Sequence, residues 1–472
     1  MFLVLAAIAA SAQERFMRRA CIQGITETGA KTRTLPSPNQ DWDPTRTYRQ
    51  VVILVEYADM TFSMGDPKTY YDQLLNLTAS NTRGGAGCMA DYFRDQSGGR
   101  LNLQFDVFGP VKVSQSAKGK SGDNYATPAI KEATQKTIDS LKVDFSPYDW
   151  DQNGEVEQVI YIMAGYCGNS GGDFETYIWP STGWLSKIEA AEGLYVYQYS
   201  ASAEKWGNEI PCGIGTVCHE FSHCLGLPDL YPVSGDAYSM VDEWDLMDGG
   251  NFTAWGWCPP NYTALEKKLL GWLSIDEITE TGKISDIKPV ADGGKAYKIT
   301  KEGNEFYLLE NRQQKGWDKG LPGRGLTICH VDYSASEWRY NNVNTRTKSR
   351  YEMLHADGMD YDDWEAFFKT SGLSEYADME NHMNRRYLST SAYPFVSDTM
   401  QVYQCNETPM PLTNIRLSDA GTISFDVIAT GINSAVSSDS GDDNWYDLQG
   451  RKLSGRPTRK GIYIYNREKV II

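Results

Sequence analysis

Apart from a short apolar start, this 472-residue sequence has no run near the ~20 consecutive apolar residues that a membrane-spanning helix needs, so it offers no transmembrane segment. It also has no C-x-x-C pair. Its nine cysteines, at positions 21, 88, 167, 212, 218, 224, 258, 329 and 405, stand singly, which argues against a cysteine-built zinc site and a thioredoxin-type motif. Their odd number leaves at least one thiol free or paired between chains. Positive charge is in deficit: 45 Lys and Arg against 62 Asp and Glu give a net charge of -17, a field that repels phosphate backbones and excludes nucleic acid as a partner. Long disordered tracts are missing too, since 41% hydrophobic residues, 12% aromatic residues and 43 glycines describe a turn-rich globular protein. Histidine is scarce, five in the whole chain, which makes its placement informative.

The length exceeds what one ordinary core accommodates and predicts two or three domains. An apolar run closed by Ala10-Ser11-Ala12 predicts a signal peptide over 1–12, although the basic start usual in such peptides is missing. Residues 13–50 are polar and rich in turn formers and are expected to be a short prosegment or leader. Over 51–275 buried strands ("RQVVILVEYADM", "EVEQVIYIMAGY") alternate with helices ("MADYFRDQ", "ATPAIKEATQKTIDSL"), which predicts a mixed α/β (α+β) domain. "GLYVYQYSASAE" is expected at a sheet edge. Residues 276–430 switch to short strands and turns, a β-rich domain or an extension of the first. Residues 431–472 are a linker followed by two or three terminal strands.

The chemistry concentrates in "CHEFSHCLGLPDLY". Ile214, Val217, Cys218, Phe221 and Leu225 recur with helical spacing and predict an amphipathic helix. His219 and His223, at i and i+4, stand one turn apart on one side of it. Two imidazoles so placed can bind one metal ion, and Glu220 beside them can take a proton from a metal-bound water. Gly226 is expected to end the helix in the left-handed conformation and turn Asp229 back toward the histidines. Two imidazoles and a carboxylate leave a fourth position open, as in a catalytic rather than a structural zinc site. Asp229 has a second reading, an ordinary turn after Pro228, in which its carboxylate bonds its own backbone.

"HEFSHCLGLPDLY" with "WDLMDGG" some twenty residues later resembles the immune inhibitor A family of secreted bacterial zinc metallopeptidases, within the metzincins; "YLLENRQQKGWDKGLPGRGLTICHVDY" extends the likeness. The resemblance implies a metzincin-like catalytic domain that hydrolyses proteins and peptides, with His219, His223 and Asp229 as zinc ligands, Glu220 as general base and Met247 as the residue of a methionine turn. Gly249 stands where many metzincins carry a tyrosine, leaving Tyr231 and Tyr238 as weak candidates for oxyanion stabilisation. His330 reads as structural. Two other readings stay open: a thermolysin-like zinc hydrolase whose third ligand is Glu243 or a nearby acid, and a binding or adhesion protein with a vestigial site.

Outside the motif, "DWDQNGEVE" sets Asp149, Asp151 and Asn153 at alternate positions with Glu157 at the ninth, a spacing of hard oxygen ligands that predicts calcium. Ile160 at the twelfth position cannot ligate, so the loop is not a complete EF-hand. A solvated acidic turn is the alternative. Cys21, or one of Asp41 and Asp43, is expected to block the metal position in the unprocessed chain if the leader is inhibitory rather than a folding aid. The terminal strands resemble the sorting segments of the bacterial type IX route, which implies a secretion-machinery or cell-surface partner; a packed terminal hairpin is the other reading.

Overall fold

The run "VVILV" in Thr47–Glu56 (β2) has no polar face, and residues 51–55 are fully buried, as expected of a central parallel strand covered on both sides. A computed structural model of the chain describes residues 25–26, 35–78, 83–119, 126–170, 172–174, 176–233, 240–345, 347–358, 392–396, 401–429 and parts of 445–471. The chain divides into two units, Met1–Val427 and Ile428–Ile472.

In the first unit β2 lies in a six-stranded sheet with Ile25–Thr26 (β1), Asn102–Lys112 (β3), Val159–Tyr166 (β4), Ser181–Ala191 (β5) and Leu194–Lys205 (β6), in the order β1-β5-β6-β4-β2-β3. Strands β3, β2, β4 and β6 are mutually parallel, and β5 runs antiparallel to β6. The stretch expected at an edge is therefore interior: β6 bonds to β4 on one side and β5 on the other. Its aromatic content satisfied both a flanked and an edge strand, and only pairing separates the two. Among the described residues, the sheet continues beyond β5 only as β1, paired parallel at Gly183 and Trp184.

Helices cover both faces. Pro67–Asn76 (α1), Met89–Gln96 (α2) and Gly215–Cys224 (α4) share an apolar cluster with Val52, Leu54, Ile160 and Ile162, while Ala126–Asp139 (α3) packs in a second cluster with Val51, Ile53 and Val55. The alternation along β2 thus divides between two helical layers. After the short helix Ala264–Leu269 (α5), the β-rich segment adds Ile275–Glu277 (β7), Gly282–Ile287 (β8), Ala296–Glu302 (β9), Glu305–Arg312 (β10), Gly325–Asp332 (β11) and Tyr351–Met353 (β12). All but β8 form the sheet β12-β11-β10-β9-β7, and Leu308, Cys329, Val331 and Tyr351 belong to the same apolar cluster as Phe221 and Met247 of the motif region. The short pair Phe395–Val396 (β13) and Gln401–Val402 (β14) precedes Leu412–Leu417 (β15) and Ile423–Val427 (β16); β15 pairs with β16, and β16 with β8. In the second unit Trp445–Tyr446 (β17), Ile462–Tyr465 (β18) and Glu468–Ile471 (β19) form one antiparallel sheet. Among the described residues no helix is long and apolar enough to cross a membrane.

Helix α4 differs from a one-sided amphipathic helix: every residue from Gly215 to His223 is buried. Its start is pressed so closely on the segment 251–256 that a Cβ on Gly215 would lie 2.1 Å from the Asn251 carbonyl oxygen. Its apolar side is anchored by Phe221, fully buried, with ring centroids 4.7 Å from Phe93 and 6.4 Å from Phe105. Replacing a buried Phe by Ala costs about 3–5 kcal/mol. Phe221→Ala is expected to lower thermal stability by that order in a calorimetric scan; a shift equivalent to less than about 1 kcal/mol would contradict this anchoring role.

Candidate metal centre

The turn after α4 brings the motif together. Gly226 has φ +96°, its N–H donates to the His223 carbonyl at 3.0 Å, and the Leu227 N–H donates to the Ser222 carbonyl at 3.1 Å. These are the two bonds of a Schellman ending, which satisfies carbonyls that the helix leaves open. A Cβ at Gly226 would also lie 2.5 Å from the Pro36 carbonyl oxygen, so glycine is required for space as well as for conformation. The reversed chain places Asp229 against both imidazoles: its Oδ1 lies 3.1 Å from His219 Nε2 and 3.4 Å from His223 Nε2, and the two Nε2 atoms are 3.1 Å apart.

The opposite ring nitrogens have backbone partners. His219 Nδ1 lies 2.8 Å from the Leu246 carbonyl oxygen, and His223 Nδ1 lies 2.7 Å from that of Leu227. A carbonyl only accepts, so each Nδ1 carries a proton, and in its neutral form each ring turns an Nε2 lone pair toward the other donors. Three donors of the types zinc prefers therefore converge, and their chemistry fits that ion.

All three groups are fully or almost fully buried. Burial pushes His219 down, but Asp229 outweighs it and raises this imidazole to about 8. Burial, with the added repulsion of His219, leaves His223 below its ordinary value. Burial pushes the Asp229 carboxyl up, yet the two imidazoles hold it well below the usual range. Without a cation the Asp229 carboxylate is thus balanced by the imidazole of His219.

Glu220 is fully buried beside the cluster. The Thr182 hydroxyl, on β5, is 2.8 Å from both Glu220 Oε2 and the Glu220 carbonyl oxygen. Neither Thr182 nor Asn341, whose side chain meets Asp229, stood out in the sequence, because each arrives from a segment remote from the motif. Met247 is fully buried, and its carbonyl accepts from Leu230 N–H at 2.8 Å. The turn around it is tied by its own aspartates: Asp245 Oδ1 accepts from Met247 N–H at 2.7 Å, and Asp248 Oδ2 from the N–H groups of residues 240–242 at 3.0–3.1 Å. Among the described residues neither Glu243 nor Asp245 groups with the histidines.

Tyr231 stacks on His219 with centroids 6.5 Å apart and planes at 17°, and Tyr238 lies outside the described residues. His330 sits on β11 with Nε2 2.7 Å from Glu305 Oε1, a surface ion pair remote from the motif. Cys21 lies outside the described residues. Asp41 and Asp43 are exposed, with Asp43 Oδ1 accepting from both Thr45 donors, so neither blocks the centre.

The acidic loop closes on itself. Asp149 accepts from the N–H groups of Asn153 and Gly154, and Glu157 from those of Trp150 and Asp151. Carboxylate oxygens of Asp149, Asp151 and Glu157 lie within 4.8 Å of one another. Burial, reinforced by Asp151 and Asp149, raises Glu157 to about 8. The Asn153 side-chain oxygen instead accepts from Glu155 N–H at 2.8 Å.

Residues 181–270 match the model of the immune inhibitor A peptidase M6 catalytic domain. This match and the relatives below support an immune inhibitor A-like metallopeptidase family. The matched stretch begins at β5 and includes α4, Asp229 and Met247. Among curated proteins the chain is similar to immune inhibitor A of Bacillus thuringiensis subsp. alesti, 25% identical over 297 residues that cover 49% of this chain and 42% of the relative. It is also similar to the pre-pro-metalloprotease PrtV of Vibrio cholerae serotype O1 (strain M66-2), 22% identical over 247 residues, 46% of this chain and 26% of the relative. The chain's match thus spans less than half the length of either relative.

The Thr182 contact is testable without any assay of activity. Thr182→Val keeps the shape and removes the hydroxyl that solvates a buried carboxylate, a change that costs about 1–3 kcal/mol. Thermal unfolding is expected to report that loss, and an unchanged midpoint would show that the hydroxyl contributes nothing.

Proposed function

We propose that the protein is a secreted zinc-dependent endopeptidase acting on proteins or peptides. The observation that carries the reading is the convergence of His219 Nε2, His223 Nε2 and Asp229 Oδ1 beside Glu220, within the segment that matches the metallopeptidase family. Secretion rests on the Ala10-Ser11-Ala12 pattern after the apolar run. His219, His223 and Asp229 would hold the metal. When bound, zinc supplies a Lewis acid that polarises the scissile carbonyl and lowers the pKa of water to about 7. Glu220 accepts a proton from the attacking water and returns it to the leaving amine, held meanwhile by Thr182. Extended substrate would pair with β5, the strand that carries Thr182, in the place that Ile25–Thr26 (β1) takes in this conformation, because β6 is enclosed by β4 and β5. The Met247 turn holds the centre from below through the Leu246 and Met247 carbonyls.

The four side chains are buried in this conformation, so peptide entry requires an opening movement, and the assay compares the chain before and after limited proteolysis of the leader. With casein as substrate, His219→Ala, His223→Ala and Asp229→Ala are expected to lose both zinc and cleavage. Glu220→Gln should keep zinc and lose turnover by roughly 10²–10⁴-fold, the usual contribution of a general base. Zinc held without cleavage in the processed wild-type protein would favour the binding or adhesion reading; full zinc and activity in Asp229→Ala would return the third ligand to Glu243 or Asp245.

The loop of Asp149, Asp151 and Glu157 is read as a structural calcium site, supported by the proximity of its three carboxylates. Saturating calcium is expected to raise the melting temperature by roughly 2–4 °C, and Asp149→Ala to abolish the response. A wild-type melting temperature indifferent to calcium would leave the loop a solvated acidic turn.

A further inference from the structure

Asp229 is gripped from the side away from the histidines by a residue 112 positions later in the chain. Asn341 Nδ2 donates to Asp229 Oδ2 at 2.7 Å, and the Asp229 N–H donates to Asn341 Oδ1 at 2.7 Å. The two bonds close a ring between one side-chain amide and one aspartate. They also fix the amide's orientation, because the backbone N–H can only be met by the amide oxygen, which leaves the NH₂ group facing the carboxylate. A carboxylate rotates easily about its terminal bond, so its two oxygens are interchangeable unless something distinguishes them. Here one oxygen receives the Asn341 donor, and the other faces both Nε2 atoms.

The position of Asn341 is itself set by local structure. The short helix Ala335–Arg339 (α6) is followed by Asn341 at φ +54°, with its N–H donating to the Trp338 carbonyl at 3.1 Å. Asparagine and glycine are the residues best suited to this left-handed conformation. Glycine meets the backbone requirement equally well but cannot make either side-chain bond to Asp229. Three residues on, buried Asn344 donates to the Leu230 carbonyl at 2.6 Å and accepts from the N–H groups of Arg350 and Tyr351. The segment 341–344 thus holds residues 229 and 230 from one side, while the Met247 carbonyl holds Leu230 from the other. Asn341 lies well beyond residues 181–270, so the matched segment does not contain it.

We propose that Asn341 is the positioning residue for the Asp229 carboxylate, fixing which oxygen is presented to the metal. The inference rests on the metal-centre reading above. Being neutral, the amide orders the carboxylate without cancelling the charge that attracts a cation. Partners of this kind change metal affinity by about 10–100-fold when removed.

The test measures zinc affinity by chelator competition on the full chain, alongside the melting temperature of the zinc-free protein. Asn341→Gly keeps the left-handed backbone and removes both bonds; it is expected to bind zinc about 10–100-fold more weakly, while the zinc-free protein, less stable for the two bonds lost to a buried aspartate, still folds cooperatively. Asn341→Asp keeps the size but sets a carboxylate oxygen against Asp229 Oδ2, and should weaken zinc at least as much. Wild-type zinc affinity in both variants would overturn the proposal. So would a loss of affinity seen only where the zinc-free variant is already unfolded, because that is what a mere helix-ending role produces. Should Asn341→Asp fail to fold, Asn341→Gly decides. His219→Ala serves as the control: if it binds zinc as well as wild type does, or if wild type binds none, the metal-centre reading itself fails, and that result is distinct from one in which only the Asn341 variants are unaffected.

Discussion

The centre depends on where two imidazole protons are placed. His219 and His223 offer Nε2 lone pairs toward Asp229 only because their Nδ1 protons are committed to the carbonyls of Leu246 and Leu227. Those carbonyls belong to two different turns. Leu227 lies in the Schellman ending of the motif helix, and Leu246 belongs to the segment tied by Asp245 and Asp248. Any shift of either turn would release a ring proton and change which nitrogen faces the centre.

Keeping such a helix fully buried is costly unless each polar group is satisfied. Except at the Thr216 hydroxyl, the fold largely meets this requirement by bringing in partners from several strands and turns. Ser222 Oγ donates to the Cys218 carbonyl at 2.6 Å and also meets the Tyr262 hydroxyl, whose ring packs against Tyr92. Glu220 meets a hydroxyl from β5, and Asp229 meets an amide from beyond α6. A second buried network lies near the Met247 turn. Arg312 on β10 donates to both Asp318 oxygens at 2.7 Å and to the Asn261 carbonyl. Burial and the neighbouring Glu266 hold the Asp245 carboxyl well above its ordinary range. The β-rich strands therefore belong to the centre's support as well as following it in sequence.

Residues 35–42 are part of that support too. The Leu35 N–H donates to the Arg339 carbonyl at 2.8 Å, two residues before Asn341, and the Pro36 carbonyl oxygen occupies the space that a side chain at Gly226 would need. Trp42 Nε1 donates to the Leu270 carbonyl at 2.8 Å. Residues 35–42 thus connect the turn that ends the motif helix with the helix that precedes Asn341. A polar, turn-rich stretch gave no hint of this, because these contacts use backbone groups that every sequence possesses.

By itself the sequence determined the features that arise within a few consecutive residues. The offsets of His219, Glu220 and His223 on a helical period, the left-handed glycine after that helix and the apolar runs of β2 and β4 follow from local geometry, so spacing alone reveals them. The tertiary structure decided what depends on which segments meet: that β6 is enclosed and β5 lies beside Glu220, that the motif helix is buried on every side, and that Asp229 turns one oxygen to the histidines because Asn341 takes the other. Apart from the β5–β6 hairpin, these are contacts between stretches from about 40 to more than 100 residues apart, where hydrogen-bond partners are chosen by chain packing and leave no periodic trace in the sequence.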